Sequence, residues 1–244
     1  MRSRWSPPRP DAVLRLTVRT FSELCLTAGT LIVLFVVYVL LWTGVKADRA
    51  MDGERARLRD RWAAAAPAAV PPPASPAPQA PAPPAPAPPP YPAGQAFAEM
   101  YVPRFGADWS KPVLEGTDTD LLKKGLGHYT GTARPGGEGN FAVAGHRRTY
   151  GDPFKDLDEL RPGDTVIIRD AVNRYTYTVR GEPLRTLPTE TGVVDPVPRR
   201  SPFATPGRYL TLTTCDPEWG HSHRLIVWAE LTGTRAAGTG GLPG

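Results

Sequence analysis

The sequence predicts an all-β domain, a closed barrel or a sandwich of many short strands, attached to a single membrane-spanning helix by a proline-rich arm. Three observations carry this prediction. β-branched and aromatic runs recur between residues 141 and 228, separated by Gly, Pro, Asn and Asp turns, without the long helical patterns that a βαβ fold requires. One stretch of 22 residues, Leu24 to Val45, carries no charge. Proline makes up 30 of the 244 residues, about 12% against a usual ~5%, so the globular part is smaller than the chain length implies.

The elements follow in order. Residues 1–23 form a basic N-terminal segment. As a helix, Leu24 to Val45 would extend about 33 Å, enough to cross a hydrocarbon core of ~30 Å. The rival reading is a cleavable signal peptide, whose apolar region is usually about 7–15 residues and ends at a small-residue cleavage site. This run is longer, and Trp42 sits near its end as an interfacial anchor does, so we read it as a transmembrane helix. Flanking charge does not orient it. Arg2, Arg4, Arg9, Arg15 and Arg19 precede the span, while Lys46, Arg49, Arg55, Arg57, Arg59 and Arg61 follow it, and long domains cross membranes largely regardless of such a bias.

Residues 46–96 begin with a charged juxtamembrane stretch, 46–62, of helix-compatible spacing, and continue as an Ala/Pro tract from Ala63 to about Ala96. Fourteen of the 26 residues from Pro67 to Pro92 are proline, which favours polyproline II and a semi-rigid stalk of about 80 Å if fully extended. A docking site for a proline-binding module is the functional alternative.

Residues 97–233 are long enough for a real core. Strands are expected at Phe141 to Ala144, Thr165 to Ile168, Tyr175 to Val179, Arg208 to Thr213 and Arg224 to Trp228. Thr119 to Lys124 and Pro153 to Leu160 are short enough for one or two helical turns, and Asp170 to Asn173 reads as a hairpin turn. The tail, 234–244, is Gly-rich and expected to be flexible.

Composition excludes several classes of function. Hydrophobic residues at 41% and charged residues at 22% rule out wholesale disorder and an all-membrane protein. The net charge of +5 lies outside the folded part: residues 1–62 hold 11 Lys/Arg against 6 Asp/Glu, whereas 97–233 hold 17 against 18. A near-neutral domain without a base-reading motif lacks the footprint of a nucleic-acid binder. Two cysteines, Cys25 and Cys215, make neither a disulfide framework nor a structural zinc site.

Cys215 ends the apolar run Thr211-Leu212-Thr213-Thr214-Cys215, and Asp216-Pro217 turns the chain immediately afterwards. A lone cysteine is more often a small buried hydrophobe than a nucleophile. His146, however, ends a second apolar run, Asn140 to Gly145, just as Cys215 ends the first. Two strand ends that meet would bring an imidazole to a thiol and shift the sulfur toward thiolate; the bland alternative for His146 is a satisfied structural histidine. Arg224 lies nine residues beyond Cys215. Antiparallel strands joined by residues 216–223 would return it to the level of the sulfur, where a fixed positive charge stabilises an oxyanion. A surface salt bridge from Arg224 to Asp216 or Glu218 is the alternative.

Taken together, the pattern resembles the sortase family of cysteine transpeptidases, whose signature is a TLxTC-type strand with an upstream His and a downstream Arg. The string Gly139 to Gly151, with Pro153-Phe154 and Leu160-Arg161-Pro162-Gly163-Asp164 after it, is similar to class E, the form common in high-GC actinobacteria; class D is the nearest confusion. The resemblance covers nearly all of residues 97–233. It implies an eight-stranded sortase β-barrel with one or two short helices, placed outside the cell with the N-terminus in the cytoplasm. It also implies a substrate, a secreted protein with a C-terminal sorting signal of the Leu-Pro-x-Thr-Gly or Leu-Ala-x-Thr-Gly type. Cleavage between Thr and Gly would leave a thioester on Cys215, and an amine of the peptidoglycan precursor lipid II would accept the acyl group. His146 would move the protons and Arg224 would hold the oxyanion, without metal or organic cofactor. Thr214 is a candidate for substrate or oxyanion contacts.

The remaining histidines are weaker candidates. His221 and His223 with Cys215 supply only three ligands at no standard metal spacing, so they are expected at the active-site rim as substrate contacts. His128 and Tyr129, in a Gly-rich stretch, are candidate groove contacts. Two other functions stay open: a membrane-tethered L,D-transpeptidase, whose usual Gly-Cys-x-Arg string is missing around Cys215, and a non-catalytic surface-display domain.

Overall fold

The computed structural model describes residues 10–65 and 89–238. The stalk expected over the proline-rich tract falls mostly on residues 66–88, outside the described residues, as do residues 1–9 and the last part of the tail. Helix α1 spans Pro10–Ala65, and the apolar side chains described in it from Leu14 to Val39, with Trp42 and Val45, are largely exposed. By length and composition it suffices to cross a membrane. The chain divides into two units, Met1–Thr43 and Gly44–Gly244.

The second unit holds nine strands: β1 (Ala96–Tyr101), β2 (Ser110–Glu115), β3 (Leu126–His128), β4 (Gly139–Ala144), β5 (Thr165–Arg169), β6 (Asn173–Val179), β7 (Leu184–Thr186), β8 (Arg208–Asp216) and β9 (His223–Ala236). Hydrogen bonding runs β6-β5-β1-β2-β3-β4-β8-β9, and a further pairing of β6 with β9 closes the ring. The result is an eight-stranded barrel, and closure removes the open sheet edges. The ninth strand, β7, lies outside the ring. It pairs with Arg224 to Ile226 of β9, while residues 229–236 of the same long strand pair with β6.

Two of the expected helical turns are present, as α2 (Thr119–Leu122) and a 3-10 turn at Leu157–Glu159. The expected hairpin joins β5 to β6, where the Asp170 carboxylate accepts from the amides of Val172 and Asn173 at 2.8 and 2.6 Å. Thr234, Arg235 and Ala236, read from the sequence as flexible tail, belong to β9 and pair with β6.

The core lies inside the ring. Alternate residues point inward, as with Val166 and Ile168 of β5 or Leu210 and Leu212 of β8. Phe141, Phe154 and Tyr177 fill the centre and are fully buried. Strand β3 needs a glycine: a β-carbon at Gly127 would fall 2.5 Å from the carbonyl oxygen of Gly116.

The charged stretch of α1 beyond Gly44 also packs within this unit. Ala47, Met51 and Leu58 recur at helical spacing and are buried. Leu58 meets Ala96 and Leu114. Beside it the buried carboxylate of Glu99 accepts from Arg59 at 2.9 and 3.3 Å and from the Tyr101 hydroxyl, with Arg55 at 3.7 Å. These partners compensate a charge that would otherwise be costly inside the fold.

Candidate active site

Strands β4 and β8 run parallel, with Ala144 opposite Thr213, an offset of 69 residues. The same offset continues past the last formal pair. The Gly145 amide donates to Thr213 at 3.0 Å, the Thr214 hydroxyl donates to the Gly145 carbonyl at 2.8 Å, and Arg147 forms an ion pair with Asp216. His146 and Cys215 therefore sit level at the ends of neighbouring strands, bracketed by contacts on both sides. They line one open cavity of about 200 Å³, together with Arg148, Glu218, Trp219 and His221.

Arg224 arrives from the other side. The antiparallel pairing of β8 with β9 places it directly opposite Cys215, and directly opposed residues share a face of the sheet. Its Nη1 donates to the carbonyls of His221 and His223 at 3.2 and 2.9 Å, which holds the guanidinium near the strand end. The acidic partners of the salt-bridge alternative are engaged elsewhere: Asp216 with Arg147 and with Arg185 at 2.6 Å, and Glu218 with Arg148.

The imidazole of His146 is half-buried and its Nε2 is buried without a hydrogen-bond partner. Its ring lies 5.1 Å from that of Tyr150. Burial lowers its pKa from the ordinary histidine value; the Lys123 ammonium lowers it further, and the Asp152 carboxylate opposes both. The neutral, base form is thus favoured near pH 7.

The other candidate residues are distributed differently. Thr214 is buried and its hydroxyl is spent on Gly145, so its side chain ties the thiol strand to the imidazole strand. His128 is buried away from the cavity lining. Its Nδ1 lies 2.6 Å from Glu115, and its Nε2 lies 2.9 Å from the Thr132 hydroxyl and 3.1 Å from the Ala133 carbonyl. Tyr129 is half-buried, with its hydroxyl 3.0 Å from that of Thr213. His221 is exposed at the cavity, whereas His223 faces Ser222 and Arg185.

Sequence reasoning missed three side chains here. Arg147 is buried and bridges Asp216 to Asp158, the latter at 3.3 Å; the doubled Arg after His146, matched by the Asp after Cys215, was the available signal. Arg148 pairs with Glu218 and lies over Trp219, 5.4 Å from the ring centre, and Trp219 is largely exposed at the mouth.

Comparison with known proteins places the chain by family and fold. A family profile described as Sortase domain matches residues 100–232. Sortase SrtE1 of Streptomyces coelicolor is 34% identical over 241 residues, which is 95% of this chain but 62% of that protein's length. Sortase SrtE2 of the same organism is 31% identical over 93% of this chain and 86% of its own. Among solved structures, sortase E from Streptomyces avermitilis is 60% identical with a TM-score of 0.57, covering 60% of this chain and 93% of that one. Sortase E1 from Streptomyces coelicolor, solved with a tripeptide in its active site, is 38% identical with a TM-score of 0.55, over 59% and 91% of the respective chains.

Proposed function

The chain belongs to the sortase family, and from that premise we propose that it is a membrane-anchored cysteine transpeptidase that cleaves a C-terminal sorting signal and transfers the protein to an amine. The observation that carries this reading is the continuous parallel register of β4 and β8 around His146 and Cys215. Its lowered pKa keeps the imidazole neutral, the form that can accept the thiol proton.

In the first half-reaction Cys215 Sγ attacks the carbonyl carbon of the signal's threonine as its proton passes to His146. The carbonyl oxygen gains the negative charge, and Arg224 stabilises it from the facing strand. Collapse breaks the C–N bond, His146 returns the proton to the departing glycine nitrogen, and a thioester remains. In the second half-reaction an amine attacks the thioester, His146 takes its proton, and the thiolate leaves. The thioester preserves acyl activation, so one amine replaces another without ATP. The preferred signals are Leu-Ala-x-Thr-Gly or Leu-Pro-x-Thr-Gly and the acceptor is the peptidoglycan precursor lipid II. This chemistry belongs outside the cell, with the N-terminus of α1 cytoplasmic.

The test is direct. The full chain in detergent should cleave a fluorogenic peptide carrying either core and attach it to an added amine. Absence of both cleavage and transfer across the two peptides would refute the reading.

A further inference from the structure

The loop that follows His146 is strained and is touched from an unexpected direction. Tyr150, Gly151 and Asp152 all have positive φ, at 54°, 79° and 46°, and two of the three carry side chains that disfavour this region. The loop closes on itself where the Phe154 amide donates to the His146 carbonyl at 3.0 Å. Within it, the Tyr150 ring lies against the His146 imidazole. Such conformations persist only where neighbouring structure holds them.

One neighbour of this turn belongs to α1. A β-carbon at Gly151 would fall 2.5 Å from Cε of Met51 and 2.8 Å from Oδ1 of Asp48, so these two side chains occupy the space beside the turn that only a glycine leaves free. Met51 is buried there. The helix in turn is fixed to the barrel by Leu58 against Ala96 and Leu114, by Arg59 on Glu99, and by Arg61 Nη2 donating to the Ala96 carbonyl at 2.6 Å.

We infer that the juxtamembrane part of α1, from Gly44 to Ala65, is a working element of the catalytic domain: Met51 and Asp48 brace the left-handed turn at Tyr150 to Asp152 and through it position His146. Both are positioning residues, remote from the sulfur. The inference rests on the proton-transfer role proposed for His146. It assigns the charged stretch after the membrane span a purpose beyond spacing the barrel from the bilayer.

The experiment compares the full chain in detergent micelles with Met51→Ala and Met51→Leu, measuring kcat and KM for the signal peptide well below each melting temperature. Hydrogen exchange across residues 146–154 is followed in parallel. Met51→Ala should lower kcat on the order of tenfold, the scale expected when a reacting group is slightly misplaced, with KM within about twofold. Exchange in the loop should rise by a similar factor while that of β5 stays fixed, and Met51→Leu should restore both. If Met51→Ala does not fold, Asp48→Ala, whose side chain is more than half exposed, carries the same comparison with a smaller expected loss. A variant that melts earlier yet keeps wild-type kcat and loop exchange would overturn the brace. An inactive wild-type chain whose loop still responds to Met51→Ala would instead overturn the proposed chemistry and leave the brace standing.

Discussion

Replacing Arg147 by methionine keeps most of the side-chain stem but removes the charge that links the ends of the two strands carrying His146 and Cys215. In the native structure this buried guanidinium joins Asp216, the neighbour of Cys215, to Asp158. Breaking a buried ion pair by removing one partner costs about 3–5 kcal/mol. Two features reduce that figure here: Asp216 retains Arg185 at 2.6 Å, and Asp158 is more than half exposed. A net cost of about 2–3 kcal/mol is therefore expected. For a folded unit of about 170 residues each kcal/mol is worth ~2–4 °C, so the melting temperature should fall by about 4–12 °C. A double-mutant cycle with Asp216→Asn, followed by thermal unfolding of the full chain, isolates the pair. Coupling above ~1 kcal/mol is expected, together with a fall in kcat/KM as the spacing of His146 and Cys215 loosens. Additive effects of the two substitutions, with unchanged kcat/KM, would refute the argument that this ion pair fixes the strand ends.

Two further outcomes follow from the same geometry. The rate should rise with pH through the His146 ionisation, on a limb lying below the ordinary histidine value because burial and then Lys123 disfavour the imidazolium. Lys123→Gln removes a repelling positive charge and should move that limb to higher pH, whereas Asp152→Asn removes an attracting negative one and should move it lower; pH profiles of kcat/KM check both signs. Gly127→Ala should destabilise the barrel by about 3 kcal/mol, or ~6–12 °C, since its new methyl meets the Gly116 carbonyl and Leu122; a melt within a degree or two of wild type would contradict that.

Legibility in the sequence followed local pattern. The runs that became β4, β5, β6, β8 and β9 are dense in β-branched and aromatic residues and stand out against their turns. Strands β1, β2 and β3 do not. The first carries Glu99 in its middle, the second carries Lys111 and Pro112, and the third is three residues built around Gly127. Strands β1 and β3 depend on what they pack against: Arg59 pairs with the buried Glu99 carboxylate and the Tyr101 hydroxyl donates to it, and the absent side chain of Gly127 permits close approach. The apolar stripe of Ala47, Met51 and Leu58 was hidden in the same way, interleaved with enough Arg, Asp and Glu that the stretch read only as charged and helix-compatible. At the candidate site, the placement of Cys215 opposite Arg224 and beside His146 was legible because strand ends and a nine-residue return are local features. The job of Arg147 was harder to read, because an Arg after the histidine and an Asp after the cysteine signal an ion pair only once the two strand ends are known to meet.

In the proposed reaction the sulfur of Cys215 becomes the acyl carrier beside His146. Intact-mass spectrometry of the full chain, quenched in acid during turnover of a signal peptide, tests it most directly. A mass increment equal to the peptide's acyl portion should appear, map to Cys215, vanish on adding an amine, and be missing in Cys215→Ala. An adduct that survives in Cys215→Ala, or turnover by that variant at the wild-type rate, would contradict the account.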